Sequence, residues 1–90
     1  MKLSDKARIA NDVLARKVGE ETVMLHLTDG TYFGLDPVGT RIWELLGEGK
    51  SLSEICDAMI DEYDVSRDAI ERDVITLAEE LAARGLIVPV

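Results

Sequence analysis

Two side chains in this sequence are of the types that most often carry out catalysis or bind metal ions, His26 and Cys56. A histidine can act as a general base, and a histidine together with cysteines can bind zinc. His26 is the only histidine, and the alternation around it predicts a strand that exposes its side chain on an open sheet face. Cys56 falls on the apolar stripe of a predicted helix, so we expect a small core residue.

No other pattern in the chain is typical of an active site. No glycine-rich phosphate loop follows a predicted strand, and no spacing of side chains is typical of a metal site. The single cysteine excludes an intrachain disulfide and fits a reducing compartment. We therefore expect a cytoplasmic, non-catalytic protein without cofactor or metal. We expect neither a signal peptide nor a membrane partner, because no apolar run approaches the roughly 18 residues that span a bilayer.

Charge is distributed unevenly along the 90 residues, whose net charge is −8. Residues 1–50 carry seven basic and eight acidic side chains, whereas residues 51–90 carry three basic and ten acidic ones. Affinity for nucleic acid depends on clustered Lys and Arg. The second half of the chain would repel DNA, so we expect no nucleic-acid partner.

The first half of the sequence predicts strands. Residues 1–11 are interpreted as a flexible polar arm, and residues 12–90 as a single domain. Strands are predicted over 13–18, 22–27 and 31–35. The Asp29-Gly30 pair between the last two predicts a type I′ hairpin, whose central residues both need positive φ. In the second strand, Val23, Leu25 and Leu27 are expected to face the core.

The second half predicts helices. Asp36 is expected to cap a first helix that ends at Gly47. Ser51 and Glu54 form a capping box for a second helix, and Ser66 caps a third. The predicted fold class is α+β, with a three-stranded antiparallel β-meander followed by three α-helices that cover one sheet face.

The predicted third strand, Thr31 to Leu35, is expected to lie at a sheet edge. Tyr32, Phe33 and Gly34 include no Lys or Pro that would protect this edge from pairing. A glycine weakens a strand unless another backbone approaches closely. These features favour the addition of a guest peptide as the next strand. The alternative is that Phe33 and Leu35 are core side chains and Tyr32 a surface aromatic.

The third helix carries two apolar strips. Its expected core stripe consists of Ile70, Val74, Leu77 and Leu81. A second strip, formed by Ile75, Ala78 and Ala82, either walls a groove or packs on another helix.

These residues resemble a known family. The run from Val23 to Leu46, VMLHLTDGTYFGLDPVGTRIWELL, looks like the hairpin and first helix of PqqD-like proteins. The run from Ser51 to Tyr63 and the ending Arg84-Gly85-Leu86 are similar to their later helices, so the resemblance covers about residues 12–88. The chain lacks the Tyr-Pro-Glu-Gly hairpin and Gly-Trp ending of PqqD itself. It is more similar to the stand-alone recognition subunits of lasso-peptide clusters.

The resemblance implies a winged helix-turn-helix-like fold that recognises ribosomally made, modified peptides. A precursor's leader peptide would add to the third strand, in a cleft walled by the third helix. A separate modifying enzyme, such as a leader peptidase or a radical-SAM enzyme, would then act on it in a lasso-peptide-like or PQQ-like pathway. The expected peptide-binding residues, with helix positions chosen from a helical wheel, are Thr31, Tyr32, Phe33, Gly34, Leu35, Arg72, Ile75, Ala78, Glu79 and Ala82.

Two other functions stay open at this point. A winged helix-turn-helix often binds DNA as a transcriptional regulator, although the charge of the second half argues against it. An open sheet edge also suits dimerisation between two copies of the chain.

Overall fold

The structure, a computed structural model, describes all 90 residues. Its elements follow in the order β1 (Ala7–Ile9), β2 (Val13–Val18), β3 (Glu21–His26), β4 (Tyr32–Leu35), α1 (Pro37–Gly47), α2 (Leu52–Glu62), α3 (Arg67–Ala83) and β5 (Ile87–Pro89). Strands β2, β3 and β4 form an antiparallel sheet in that order, and β1 pairs with β5 in a second, two-stranded sheet. The predicted fold class, a three-stranded meander followed by three helices, is confirmed.

The hairpin between β3 and β4 forms where it was predicted, but its turn is of another type. Among the loop residues only Gly30 has positive φ, at 74°, and no non-glycine residue of the chain does. The Gly30 N–H donates to the carbonyl of His26 (2.8 Å), and the His26 N–H donates to the carbonyl of Thr31 (2.9 Å). The type I′ prediction is therefore wrong, because Asp29 keeps negative φ in a wider loop with one left-handed glycine.

The face of β3 that meets the core is not the predicted one. Met24 is fully buried and Thr22 is 4 % exposed, whereas Val23 and Leu27 are 43 % and 52 % exposed. Alternation shows that neighbouring side chains face opposite sides, but not which side meets the helices. Both faces of β3 carry apolar residues, so the pattern alone did not decide which face is buried. The prediction that His26 lies on the open face is therefore wrong as well.

The helices begin at the predicted caps. The side chain of Asp36 accepts a hydrogen bond from the Gly39 N–H (2.7 Å), and the capping box of Ser51 and Glu54 is complete. Together the helices and the inner sheet face enclose one core. Its largest fully buried side chains are Met24, Ile42, Leu45, Leu46, Leu52, Ile55, Cys56, Met59, Ile70, Val74 and Leu81. None of the three helices is both long and apolar enough to cross a membrane.

The N-terminal segment, predicted as a flexible arm, packs against the helices. Its strand β1 pairs antiparallel with β5, so that Ala7 lies opposite Pro89 and is buried. The N–H of Leu52, at the start of α2, donates to the carbonyl of Asp5 (3.0 Å). The C-terminal strand β5 therefore pairs with β1 and does not cover β4.

Candidate functional site

The outer edge of β4 is open. Strand β4 pairs only with β3, because it is the last strand of its sheet. Since His26 and Thr31 form a hydrogen-bonded pair, alternation makes Phe33 direct its backbone groups toward β3. Tyr32 and Gly34 consequently direct their N–H and C=O groups away from the sheet, where a further strand would lie.

The side chains of β4 divide between the two sheet faces. Phe33 and Leu35 face the helices, and both contact the core. Tyr32 faces the other way and is 71 % exposed. At Gly34 an added Cβ would meet nothing within 4 Å. The fold itself therefore does not require glycine at this position, and a side chain here would lie on the open sheet face, beside Val23.

A cleft of about 500 Å³ lies beside this edge, between β4, the start of α1 and α3. This volume is within the range of pockets that hold small ligands or a few side chains. Buried Leu35 and Ile42 contribute an apolar floor. The lining residues are Phe33, Gly34, Leu35, Asp36, Val38, Gly39, Ile42, Asp73, Leu77 and Glu80.

The wall that α3 contributes differs from the predicted one. It is formed by Asp73, Leu77 and Glu80, which recur at i, i+4 and i+7 and so lie on one side of the helix. None of the predicted helix positions lines the cleft. Ala78 is fully buried in the core, and the Glu79 carboxylate instead accepts a hydrogen bond from the amino group of Met1 (2.7 Å).

The remaining predicted helix positions lie on the far flank of the buried stripe. Ile75 and Ala82 are half-buried against the core, and Arg72 is exposed. A helical wheel shows two flanks beside a core stripe, and only tertiary packing decides which one faces β4. The more apolar flank was predicted to wall the cleft, and Leu77 was predicted to lie in the core. The sequence contained no signal that would have moved Leu77 to the cleft.

The start of the predicted binding strand also differs in the structure. Thr31 precedes β4, in the loop, and both its N–H (3.1 Å) and its hydroxyl (2.7 Å) donate to a carboxylate oxygen of Asp29. These bonds hold the pKa of the Asp29 carboxyl below its ordinary value. The backbone donor of Thr31 is thus already used. Phe33, Gly34 and Leu35 line the cleft, whereas the Tyr32 side chain lies on the opposite face of the sheet.

His26 and Cys56 do not belong to the cleft. His26 is only 12 % exposed, with Nε2 3.5 Å from Asp12 and Nδ1 3.4 Å from Asp29. Its Nδ1 is buried without a hydrogen-bond partner. Cys56 is a buried core residue on α2, as predicted, and burial raises the pKa of its thiol. The chain has no group of three or more His, Cys, Asp or Glu side chains placed to hold a metal ion.

The face of the sheet that turns away from the helices is apolar and open. Leu14, Leu25 and Tyr32 lie side by side across its three strands, and Val23 lies next to them. Together with Arg16 they surround a shallow depression of about 390 Å³. Exposed apolar patches of this kind are typical of interaction surfaces.

Comparison with known proteins gives a consistent set of matches. The family model described as coenzyme PQQ synthesis protein D (PqqD) matches residues 21–87. The solved structure of TbiB1 in complex with the TbiA(beta) leader peptide is 48 % identical, with a TM-score of 0.85; the match covers 89 % of this chain and 93 % of that one. A lasso peptide synthetase B1 complexed with the leader peptide is 25 % identical, with a TM-score of 0.86, over 93 % and 99 % of the two chains. No curated protein gives a significant match.

Proposed function

Since the chain belongs to the PqqD family, we propose that it binds the leader segment of a ribosomally made precursor peptide and delivers it to a separate modifying enzyme or protease. The leader adds to β4 as a fourth strand. The observation that carries this proposal is the unpaired β4 edge beside an apolar cleft. The leader-peptide complexes of the two similar structures give the class of ligand.

Backbone hydrogen bonds fix the register of the guest. Tyr32 and Gly34 each offer one N–H and one C=O, so a guest strand can form up to about four hydrogen bonds with β4. Each contributes only about 0.5–1.5 kcal/mol net, because the same groups bond to water in the free protein. Such bonds are the same for every peptide sequence and give little specificity.

The cleft supplies the selection between peptides. Guest side chains that point to the helix side enter the space bounded by Phe33, Leu35 and Leu77. Burying a Leu- or Phe-sized side chain there contributes about 1.5–3 kcal/mol. Apolar side chains at alternate guest positions are therefore the main source of both affinity and selectivity between peptides.

Chemistry on the bound peptide belongs to a partner enzyme. The two side chains best suited to catalysis lie outside the cleft, His26 between two aspartates and Cys56 in the core. A domain that holds the peptide and the enzyme together raises the effective concentration of one at the other. We assign this chain the recognition step, and a leader peptidase or radical-SAM enzyme the reaction.

The DNA-binding alternative is disfavoured by the charge of α3. This helix carries two basic and five acidic side chains. A helix that enters the major groove needs the opposite balance.

The experiment that tests the proposal is a titration with the TbiA(beta) leader peptide against a matched pair of variants, Gly34→Pro and Gly34→Ala. Proline removes the one N–H that Gly34 directs outward, and the bonds between β4 and β3 stay, because an edge strand tolerates proline on its solvent side. Alanine keeps the N–H.

We expect Gly34→Ala to bind within about twofold of the unmodified protein. Gly34→Pro should bind at least about tenfold more weakly, which corresponds to about 1.4 kcal/mol. Thermal unfolding of both variants controls for damage to the sheet. Equal affinity of Gly34→Pro and Gly34→Ala, or no binding of the leader to the unmodified protein, would contradict the proposal.

A further inference from the structure

Every charged side chain that lines the cleft is acidic. These are Asp36, Asp73 and Glu80 among the ten lining residues. Glu80 lies 3.6 Å from the guanidinium of Arg84, and Asp36 accepts the N–H of Gly39. Asp73 is exposed and takes part in none of the chain's ion pairs. The cleft therefore holds an apolar floor and a carboxylate that the protein itself does not neutralise.

Two of the three acidic side chains lie at the same end of the cleft. The ring of Phe33 lies under the guanidinium of Arg84, at the C-terminal end of α3. From Phe33 the chain runs along the cleft to Asp36, while Asp73 lies near the N-terminal end of the α3 wall. β4 and α3 therefore run in opposite directions. Asp36 and Asp73 share one end of the cleft, and Arg84 offsets the charge of Glu80 at the other.

The spacing along α3 matches that of an extended guest. Asp73 precedes Leu77 by four residues, which is about 6 Å along the helix axis. In a strand, side chains on one face recur every second residue, about 6.6 Å apart. A guest whose apolar side chain contacts Leu77 thus brings its next helix-facing side chain to Asp73. The residue between them faces the opposite side of the sheet.

From this juxtaposition we propose that the cleft selects leader peptides with a Lys or Arg two positions away from the apolar side chain that packs on Leu77. The inference rests on the proposed function and names the class of peptide. The basic residue precedes or follows the apolar residue in the guest sequence, depending on whether the added strand is parallel or antiparallel to β4.

The test is a selection of displayed random decapeptides on the immobilised protein, with the recovered sequences aligned on their shared apolar position. Lys and Arg are expected to be enriched about three- to fivefold at two positions from the apolar residue, as for a surface ion pair. One position away they face the open side and are expected at background frequency, which gives an internal control.

Two variants locate the effect. Asp73→Asn removes the charge at an exposed site without an ion pair, so the fold is expected to be unaffected. This variant should lose the enrichment. Glu79→Gln removes a charge of the same helix on the far flank, and it should keep the enrichment. Equal frequencies of basic residues one and two positions away, or an unchanged enrichment on Asp73→Asn, would overturn the inference.

The same peptides distinguish the inference from the proposed function. If the recovered peptides show no enrichment of Lys or Arg but bind Gly34→Pro more weakly than the unmodified protein, the charge selection is overturned and strand addition is still supported. Recovered peptides that bind Gly34→Pro as tightly as the unmodified protein would contradict strand addition on β4, and so would the recovery of no peptide.

Discussion

Met24 on β3 is the register partner of Phe33 on β4, and both side chains turn toward the helices. Val23 and its partner Gly34 turn away from them, on the open face. One residue pair therefore joins the core to the cleft, since Met24 is fully buried and Phe33 lines the cavity. This pairing explains how the helical layer fixes the position of the edge strand.

Which face of β3 meets the helices can be tested by the effect of substitutions on stability. We expect Met24→Ala to lower the free energy of unfolding by about 2–5 kcal/mol, because it leaves a cavity in a closely packed core. Val23→Ala, at a half-exposed site, should cost less than about 1 kcal/mol. Urea titration of both variants gives the comparison. A larger loss at Val23 than at Met24 would mean that the sheet presents its other face to the helices.

Arg84 is expected to affect peptide affinity through Phe33. Its guanidinium carbon lies 4.8 Å from the centroid of the Phe33 ring, and such a contact at an exposed site contributes about 0.5–1 kcal/mol. Arg84→Gln should release the ring and weaken binding of the TbiA(beta) leader about two- to fivefold. Arg72→Gln, which removes an exposed arginine on the far flank of α3, is the matched control. Isothermal titration with both variants measures the difference, and an equal change in the two would contradict a role for Arg84.

The ion pair between α1 and α2 predicts a dependence of stability on pH. The guanidinium of Arg41 donates to both carboxylate oxygens of Glu62, at 2.8 and 3.0 Å. This holds the pKa of the Glu62 carboxyl below its ordinary value of 4.5. A depressed carboxyl pKa stabilises the folded state above the unfolded pKa, and the contribution is lost as the pH falls through the folded value.

We therefore expect Glu62→Gln to destabilise the protein by about 0.5–1 kcal/mol at pH 7, as for a well-formed surface pair. The difference should shrink below about pH 4.5 and vanish once Glu62 is protonated in the folded state. Asp61→Asn, at a neighbouring exposed carboxylate without a partner, should show no such trend. Guanidinium chloride screens ion pairs, so urea unfolding at several pH values is the suitable measurement. A constant difference between pH 3 and pH 7 would contradict the prediction.

Local chemistry made most of the fold predictable. The caps Asp36, Ser51 and Ser66 are short polar side chains that bond the first free N–H groups of each helix, and all three begin helices as predicted. The meander was equally local, since short loops join its strands. The pairing of β1 with β5 was not, because it joins residues about 80 positions apart, such as Ala7 and Pro89.

The candidate site was predictable only on its strand side. Phe33, Gly34 and Leu35 were predicted because an unprotected edge strand is visible in the sequence, and all three line the cleft. The helix side required knowledge of how α3 is rotated against the sheet, and that rotation is set by packing of the whole core. Leu77 illustrates the difficulty, because it continues the buried stripe of α3 in sequence and lines the cleft in the structure.

The two flanks of α3 can be compared directly through Leu77 and Ile75. Both are half-buried aliphatic side chains of the same helix, two residues apart, but only Leu77 lines the cleft. We expect Leu77→Ala to weaken binding of the TbiA(beta) leader about five- to thirtyfold, because a guest side chain would lose an apolar contact worth about 1–2 kcal/mol. Ile75→Ala should leave the affinity within about twofold while it lowers stability, since its side chain packs on the core. Peptide titration paired with urea unfolding separates the two effects. If Ile75→Ala impaired binding more than Leu77→Ala did, the guest would have to lie on the far flank of α3, away from the β4 edge.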